Sequence, residues 1–151
     1  MTYHKIIQSR FNVSLKAIIR NQQNQLLVLK TISANPRFHD TLDLPGGSIN
    51  NDEINTDFHK IIRREITEEC GSLKYRLRLD PVALSKYRFN NEHERLYILF
   101  EARFQSGKIK ISEEHSDYSW VPLDRKIFKL NFQPSLKQLI KNYVKWNNLK
   151  L

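Results

Sequence analysis

Apolar residues alternate with polar ones or form short runs in the first third of the chain, which predicts two strands followed by a loop. Residues 11–20 begin with the alternation typical of a strand that has one buried face. Residues 26–29 form an uninterrupted apolar run, which indicates a buried strand. The polar turn 21–24 lies between them, so a hairpin is expected. A polar loop follows at 32–41, and a brief extended piece at 42–44.

The extended piece ends at the breaker Pro45-Gly46-Gly47. Thr56 is the predicted N-cap of a helix, with Asp57 in its first turn. The helix is expected to run to about Cys70, because Gly71 is a natural C-terminal stop. A glycine turn followed by a helix is therefore predicted for the middle of the chain.

Three further strands and a second helix are predicted in the remaining sequence. The strands are expected at 96–104, 109–111 and 118–123, with a turn at 105–108 between the first two. From about residue 135, apolar residues recur at helical spacing. Strands interleaved with two helices predict an α/β fold, with a mixed sheet covered by helices. The length of 151 residues suits one domain, 1–151, and no internal repeat is present.

The chain is basic, with a formal net charge of +9. Residues 124–151 hold seven Lys or Arg against one Asp. A basic surface concentrates phosphate-bearing ligands near the protein. These lysines lack the interleaved aromatic residues of a nucleic-acid site, so a solvated helix face is the preferred interpretation.

The sequence contains no apolar run of the roughly 20 residues that span a bilayer, so no membrane partner is expected. Its first ten residues lack the apolar run of a signal peptide. Cys70 is the only cysteine, which excludes an intrachain disulfide. A cytoplasmic location is expected from these features.

Three glutamates of the first predicted helix, Glu65, Glu68 and Glu69, fall on the side of its apolar residues when positions are spaced by about 100°. The apolar residues of that side are Phe58, Ile61, Ile62 and Ile66. Glu65 and Glu69 are i,i+4 neighbours whose like charges repel. Burying an unpaired carboxylate is costly, so the cluster requires a cation. The alternative is that the helix end leaves the core and the glutamates are solvated.

Arg64 can offset part of one charge, whereas a divalent metal ion offsets far more. Oxygen-rich ligation suits a hard ion, Mg²⁺ or Mn²⁺. The sequence lacks the Cys and His spacing of a zinc site. The helix therefore predicts a magnesium or manganese site.

Residues 44–47, Leu-Pro-Gly-Gly, and residues 64–71, Arg-Glu-Ile-Thr-Glu-Glu-Cys-Gly, together resemble the Nudix box. The family pattern is Gly, five residues, Glu, seven residues, Arg-Glu, an aliphatic residue, any residue, Glu-Glu, any residue, Gly and an aliphatic residue. The likeness covers residues 11–147, and residues 114–123 also resemble the late loop and strand of such domains. It implies a Nudix-like α/β/α sandwich.

The spacing departs from the pattern before the helix. Five residues separate Gly47 from Glu53, as in the family, but ten separate Glu53 from Arg64. Counting back from the helix places Thr56 where the first glutamate is expected. The loop 48–55 therefore carries three extra residues, and Ser72 replaces the final aliphatic residue.

The resemblance implies a role for each matching residue. The implied metal ligands are Glu65 and Glu69 with the Gly46 carbonyl, while Glu68 is either a further ligand or a group that supports the ligands. Arg64 is implied to orient a glutamate through an ion pair. Gly46 and Gly47 would let the backbone approach the phosphates of a nucleotide.

The implied activity is that of a hydrolase acting on phosphoric anhydride bonds. With Mg²⁺ it would cleave a nucleoside diphosphate linked to another group: a nucleoside triphosphate, an ADP-ribose-like compound or a nucleotide sugar. The general base would be Glu65, the first choice, or one of the late-loop acids Glu113, Glu114 and Asp117. His115 is interpreted as a capping or packing residue, and Trp120 as a core residue.

Two alternatives stay open. One is a Nudix-fold module that binds a nucleotide or RNA without hydrolysis, and the other is an RNA 5′-end pyrophosphohydrolase. Base and sugar selection would lie in the predicted loops 32–41 and 84–94. Their candidate pocket residues are Arg37, Phe38, Tyr87 and Phe89, for which loop packing or solvation is the alternative.

Overall fold

The computed structural model describes residues 8–90 and 93–151. The strands are β1 (Asn12–Arg20), β2 (Gln25–Thr31), β3 (Leu42–Asp43), β4 (Gly46–Ser48), β5 (Lys74–Leu77), β6 (Ala83–Arg88), β7 (Glu94–Ser106) and β8 (His115–Pro122). The helices are α1 (Phe58–Cys70) and α2 (Pro134–Trp146), and short 3₁₀ turns occur at Asn51–Glu53 and Arg125–Lys129.

The strands form a mixed sheet with the order β3-β2-β1-β7-β5. Strand β1 runs parallel to β7 along its whole length and antiparallel to β2 and β4. β5 and β6 pair with β7, and β8 pairs with β2, all antiparallel. The predicted mixed sheet is therefore confirmed.

Both faces of the sheet are covered, and the side chains that alternate in direction along each central strand contribute to the two cores in turn. Leu15, Ala17 and Ile19 of β1 belong to the core beneath α1, whereas Ile18 belongs to the core beneath α2. Strands β2 and β7 divide their apolar residues in the same way. The result is the predicted α/β/α sandwich, with an apolar core on either side of the sheet.

The two predicted helices and most predicted strands are present, but several details differ. The β1–β2 hairpin is confirmed, although β2 pairs mainly with β8. The N-cap position of helix α1 is Asp57 rather than Thr56, and the Asp57 side chain makes no capping hydrogen bond. Phe58, placed by its helical position on the apolar side, is 44% exposed because it is the first helical residue and lies beyond the core.

Two local predictions were wrong. The segment 84–94 is not a loop throughout, since it contains most of β6 and the start of β7. Residues 109–111 form no strand; the Lys110 amide instead bonds the Cys70 carbonyl at the end of α1, at 2.9 Å. Strand β5 was not predicted, although its residues alternate between polar and apolar; it is only four residues long and is held by pairing with β7. Among the helices of the described residues, none has the length and apolar character to cross a membrane.

Candidate active site

The Pro-Gly-Gly turn lies against β1, at the end of α1. The Ala17 amide donates to the Pro45 carbonyl at 2.8 Å, and Gly46 is paired with Lys16 across β4 and β1. Gly46 has φ +136°, and a Cβ there would lie 2.1 Å from the Leu15 carbonyl oxygen. Only glycine therefore permits this close approach of the turn to β1.

Glu69, in the last turn of α1, is buried and hydrogen-bonded to the glycine turn. The Gly46 amide donates to its Oε2 at 2.8 Å. Burial raises the pKa of Glu69 to about 8, although the Lys16 ammonium and the Gly46 amide act in the opposite direction. The carboxyl group is thus held against the turn in an environment that disfavours its charge.

Glu65 lies one helical turn earlier and is also buried, at 8% exposure. Its carboxylate lies directly against Gly47, where a Cβ would be 2.6 Å from both carboxylate oxygens. Burial raises the pKa of Glu65, and the neighbouring Arg64 guanidinium opposes that rise. The predicted inward orientation of Glu65 and Glu69 is confirmed.

Glu68 does not share that orientation. It is exposed, with 56% of its side chain accessible, and it accepts a hydrogen bond from Arg64 Nη1 at 2.9 Å. The helical spacing puts Glu68 at the edge of the apolar side of α1, and the core does not extend that far around the helix. The expectation that all three glutamates face the core was therefore wrong for Glu68.

Lys16 of β1 is a functional neighbour that the sequence analysis missed. Its ammonium donates to Asp43 Oδ1 at 2.8 Å, to the Leu44 carbonyl at 3.0 Å and to the Gly46 carbonyl at 3.2 Å. Burial alone would lower the pKa of Lys16, but the carboxylates of Asp43 and Glu69 outweigh it and raise the pKa above 10.5. A lysine within an otherwise apolar strand was the available signal.

The Arg64 guanidinium contacts three carboxylates. Its Nε donates to Glu53 Oε1 at 2.8 Å and its Nη1 to Glu68, while Nη2 makes ionic contacts with Glu53 at 2.8 Å and Glu65 at 2.9 Å. The ion pair predicted for Arg64 is therefore present. Because Arg64 contacts Glu65 and Glu68 together, it restrains two of the proposed metal ligands.

The three extra residues of the loop do not remove Glu53 from the site. The 3₁₀ turn Asn51–Glu53 and the bend that follows it bring Glu53 back to Arg64, and the Asn50 amide donates to Glu53 Oε2 at 2.9 Å. That backbone hydrogen bond, together with Arg64, lowers the pKa of Glu53. Glu53 therefore still contacts a residue of the box despite the longer loop.

Lys16, Arg64 and the three glutamates of α1 line a cavity of about 790 Å³, together with the glycine turn and part of the late loop. Glu113 and Glu114 lie on its wall and are exposed, whereas Asp117 lies outside it. His115 is buried at the same wall, with Nδ1 3.3 Å from Ser112 Oγ, and burial lowers its pKa. This packing matches the predicted role of His115.

Trp120 is half-buried and packs at the edge of the core beneath α1 against Phe104, with 5.2 Å between their ring centroids.

A second cavity of about 610 Å³ adjoins the first. Thr31, Ile32 and Arg95 line both cavities. Of the predicted pocket residues, Arg37, Phe38 and Phe89 line the second cavity, while Tyr87 lies in a separate, smaller one of about 210 Å³. Arg95 was not among the predicted residues, because no local pattern marks it.

The donor set of the acidic cavity is made of oxygen atoms, which fits Mg²⁺ or Mn²⁺. Within residues 8–90 and 93–151, no three acidic, His or Cys side chains converge on one point in the manner of a metal site. The reason lies in their present partners: Glu68 is turned to Arg64, and Glu69 accepts from Gly46. The cluster therefore contains oxygen atoms that suit a metal, but protein N–H groups and cations contact these oxygen atoms.

The sequence matches the NUDIX domain family over residues 10–143. Comparison with curated proteins finds no match. Among solved structures, the chain resembles the MutT protein from Methanosarcina mazei Go1, with a TM-score of 0.77, 24% identity and coverage of 96% of this chain and 100% of that one.

Two other solved structures show the same fold. The NUDIX domain of Shewanella oneidensis NrtR, complexed with ADP ribose, has a TM-score of 0.70 at 15% identity, covering 91% of this chain and 89% of that one. A MutT NUDIX hydrolase from Burkholderia pseudomallei has a TM-score of 0.66 at 18% identity, covering 94% and 100%. Taken with the family match and the box residues around the glycine turn, the chain belongs to the Nudix hydrolase family, enzymes that act on pyrophosphate bonds.

Proposed function

We propose that the chain is a Mg²⁺- or Mn²⁺-dependent pyrophosphohydrolase that cleaves a nucleoside diphosphate linked to another moiety. The observation that carries this proposal is the burial of Glu65 and Glu69 against the Gly46-Gly47 turn, at the wall of an open cavity. Acidic side chains placed this way are costly in the absence of a cation, and a polyanionic substrate would be repelled without one.

The residues that would hold the metal are Glu65, Glu69, the Gly46 carbonyl and Glu68. Glu65 and Glu69 are already against the turn, whereas the exposed Glu68 would have to exchange its hydrogen bond with Arg64 for a bond to the metal. A bound metal would supply positive charge that offsets the negative charge of the phosphates and of the leaving group. Arg64 holds Glu65 in orientation through its Nη2 contact at 2.9 Å.

The proposed general base is Glu65, with Glu113 and Glu114 as the alternatives. All three line the acidic cavity, whereas Asp117 does not. Burial raises the pKa of Glu65, which makes its carboxylate a stronger proton acceptor. In the reaction, water adds to one phosphorus, its proton passes to the base, and the bridging P–O bond breaks.

The adjoining cavity supports a nucleotide as the substrate. Its volume of about 610 Å³ lies in the range of small-molecule sites. Phe38 and Phe89 offer aromatic surface for a base, and the side-chain amides of Asn12, Asn35 and Gln133 offer hydrogen-bonding groups for its edge. ADP ribose in the related NrtR domain is a ligand of the same general chemistry.

The test uses Glu69→Gln with a panel of nucleoside triphosphates, dinucleoside polyphosphates, ADP-ribose and nucleotide sugars, with and without Mg²⁺. We expect metal-dependent turnover in the wild type and a loss of roughly 100-fold or more in kcat/KM in the variant, comparable with or beyond the effect of disturbing a metal shell. Asp80→Asn, at an exposed turn, is the matched control. Full turnover in Glu69→Gln would contradict the proposed site.

A binding experiment checks the metal site separately. Titration of Mn²⁺ or Mg²⁺ into the wild type and into Glu65→Gln should show weaker binding in the variant, and equal affinity would argue against Glu65 as a ligand.

If the wild type retains nucleotide or RNA without releasing any product, the chain is a binding module and not a hydrolase. Release of pyrophosphate from triphosphorylated RNA would identify the RNA 5′-end as the substrate.

A further inference from the structure

Arg95 lies where the acidic cavity meets the adjoining cavity. It is the second residue of β7, paired with Asn12 at the start of β1, and it lines both cavities together with Thr31 and Ile32. Thr31 and Ile32 carry no charge. Arg95 is therefore the charged group at the passage between the acidic cluster and the proposed nucleoside pocket.

No carboxylate of the described residues lies within ion-pair distance of Arg95. Its neighbour Glu94 is paired with Arg88. Glu53, Glu65 and Glu68 are paired with Arg64, and Glu69 accepts a hydrogen bond from the Gly46 amide. The Arg95 guanidinium lies over the ring of Phe89, with 5.7 Å between Cζ and the ring centroid. A half-buried guanidinium with an aromatic neighbour, and with no acidic partner in the described part of the chain, is suited to bind an anion from outside the protein.

The other cations of the acidic cavity are already engaged. The three donors of the Lys16 ammonium go to Asp43 and to two backbone carbonyls. The Arg64 guanidinium contacts three glutamates. Of the Lys and Arg residues that line this cavity in the described part of the chain, Arg95 therefore remains available to bind a ligand.

We propose that Arg95 binds the phosphate group that is attached to the nucleoside of the substrate. This inference rests on the proposed function, because it assumes that the adjoining cavity receives the nucleoside. The nucleoside would lie beside Phe38 and Phe89, its own phosphate on Arg95, and the anhydride bond beyond it over Glu65 and Glu69. Water adds across that bond, so the nucleoside monophosphate leaves with its phosphate still in contact with Arg95.

The specificity this implies is for nucleotides with a 5′-phosphate next to the anhydride, whatever group lies on the far side. Arg95 would thereby set which phosphorus faces the acidic cluster. A planar guanidinium can contact two phosphate oxygens at once, which lysine cannot reproduce. The conservative variant Arg95→Lys is consequently expected to retain only part of the effect.

The experiment compares ligands that differ by one phosphate group. Binding of AMP, CMP, GMP and UMP, and of the four matching nucleosides, is measured by calorimetry with Mg²⁺ present, since monophosphates contain no anhydride to hydrolyse. For the base that binds best, Arg95→Gln should weaken monophosphate binding by roughly 10- to 100-fold, the scale of a lost hydrogen bond to a charged group. Nucleoside binding should change by less than about two-fold, because the nucleoside makes no ionic contact with the guanidinium.

The matched control is Arg103→Gln, on the same strand but outside both cavities, where Arg103 Nε is 3.4 Å from Glu101. Thermal unfolding of each variant reports whether the fold is retained. A purely structural role for Arg95 would lower monophosphate and nucleoside affinity equally, and that outcome would overturn the proposal. A wild type that shows no preference for the monophosphate over the nucleoside would overturn it as well.

The outcome separates this inference from the proposed function. If Arg95→Gln selectively loses monophosphate binding while no substrate of the panel is hydrolysed by the wild type, Arg95 binds phosphate in a non-hydrolytic module. If the wild type hydrolyses nucleotides but Arg95→Gln keeps its full preference for monophosphates, the proposed function stands and the role of Arg95 is wrong.

Discussion

The Lys16 ammonium donates a hydrogen bond to the Gly46 carbonyl at 3.2 Å, from the strand that pairs directly with the glycine turn. The same carbonyl belongs to the proposed metal shell. Lys16 is only 6% exposed, and its remaining donors are taken by Asp43 and the Leu44 carbonyl. A protein cation therefore holds the turn from within the sheet, next to the buried Glu69.

Replacing Lys16 with methionine should destabilise the fold substantially. The change keeps most of the apolar stem but leaves Asp43 and two backbone carbonyls without their buried donor. Breaking a buried ion pair by removing one partner costs about 3–5 kcal/mol, and urea unfolding at pH 7 measures it. Lys141→Met, on the exposed side of α2, is the control and should change the free energy of unfolding little. Equal stability of Lys16→Met and the wild type would contradict a structural role for the ammonium.

Gly47→Ala should disturb the metal site more than the fold. The added Cβ would lie 2.6 Å from the Glu65 carboxylate, which is the flexible end of a side chain and can move aside. Gly46→Ala is the contrasting variant, since its Cβ would meet the Leu15 backbone at 2.1 Å and its φ of +136° is unfavourable for alanine.

We therefore expect Gly47→Ala to unfold near the wild-type temperature but to bind Mn²⁺ roughly 10-fold more weakly or worse, as expected when the support of a metal ligand is disturbed. Gly46→Ala should lose stability. Calorimetric titration and thermal unfolding measure the two effects. Unchanged Mn²⁺ affinity in Gly47→Ala would show that the position of Glu65 does not matter for the metal.

Glu53→Gln should reveal a pH-dependent contribution to stability. The Asn50 amide and the Arg64 guanidinium hold the pKa of Glu53 below its usual 4.5 in the folded state. A lowered pKa means that the carboxylate stabilises the fold above about pH 4.5 and that this contribution disappears as the pH falls through the folded-state pKa.

The difference in unfolding free energy between wild type and Glu53→Gln should thus be present at pH 7 and shrink in acid. Urea unfolding of both proteins at a series of pH values gives that difference. Asp52→Asn, at the exposed neighbouring position, is the control. A difference that stays constant down to pH 3 would contradict the ionic role of Glu53.

Cys70 should react slowly with alkylating reagents in the folded protein. Its thiol is fully buried, and burial raises its pKa to about 12, with the Glu69 carboxylate adding to the effect. Reaction requires the thiolate, so labelling by iodoacetamide at pH 8 should be far faster in urea than in buffer. Mass spectrometry follows the modification. Rapid labelling of the native protein would show that the end of α1 opens readily.

Local patterns in the sequence were sufficient to predict β1, β2, β7, β8, both helices and the inward placement of Glu65 and Glu69. Alternation with a period of two and helical spacing are properties of neighbouring residues, so they can be seen in the sequence alone. The two glycines and the Arg-Glu-x-x-Glu-Glu segment likewise lie close together in the chain, so their resemblance to a family motif can be seen without coordinates.

Other features depended on residues far apart in sequence. The return of Glu53 to Arg64 requires the conformation of the inserted loop, the contact of Lys16 with Gly46 requires the pairing of β1 with β4, and the exposure of Glu68 depends on where the core stops around α1. The position of Arg95 requires β7 to lie beside β1. Periodicity says which way a side chain points from its own element, but long-range strand pairing decides what it meets, and only the tertiary structure contains that information.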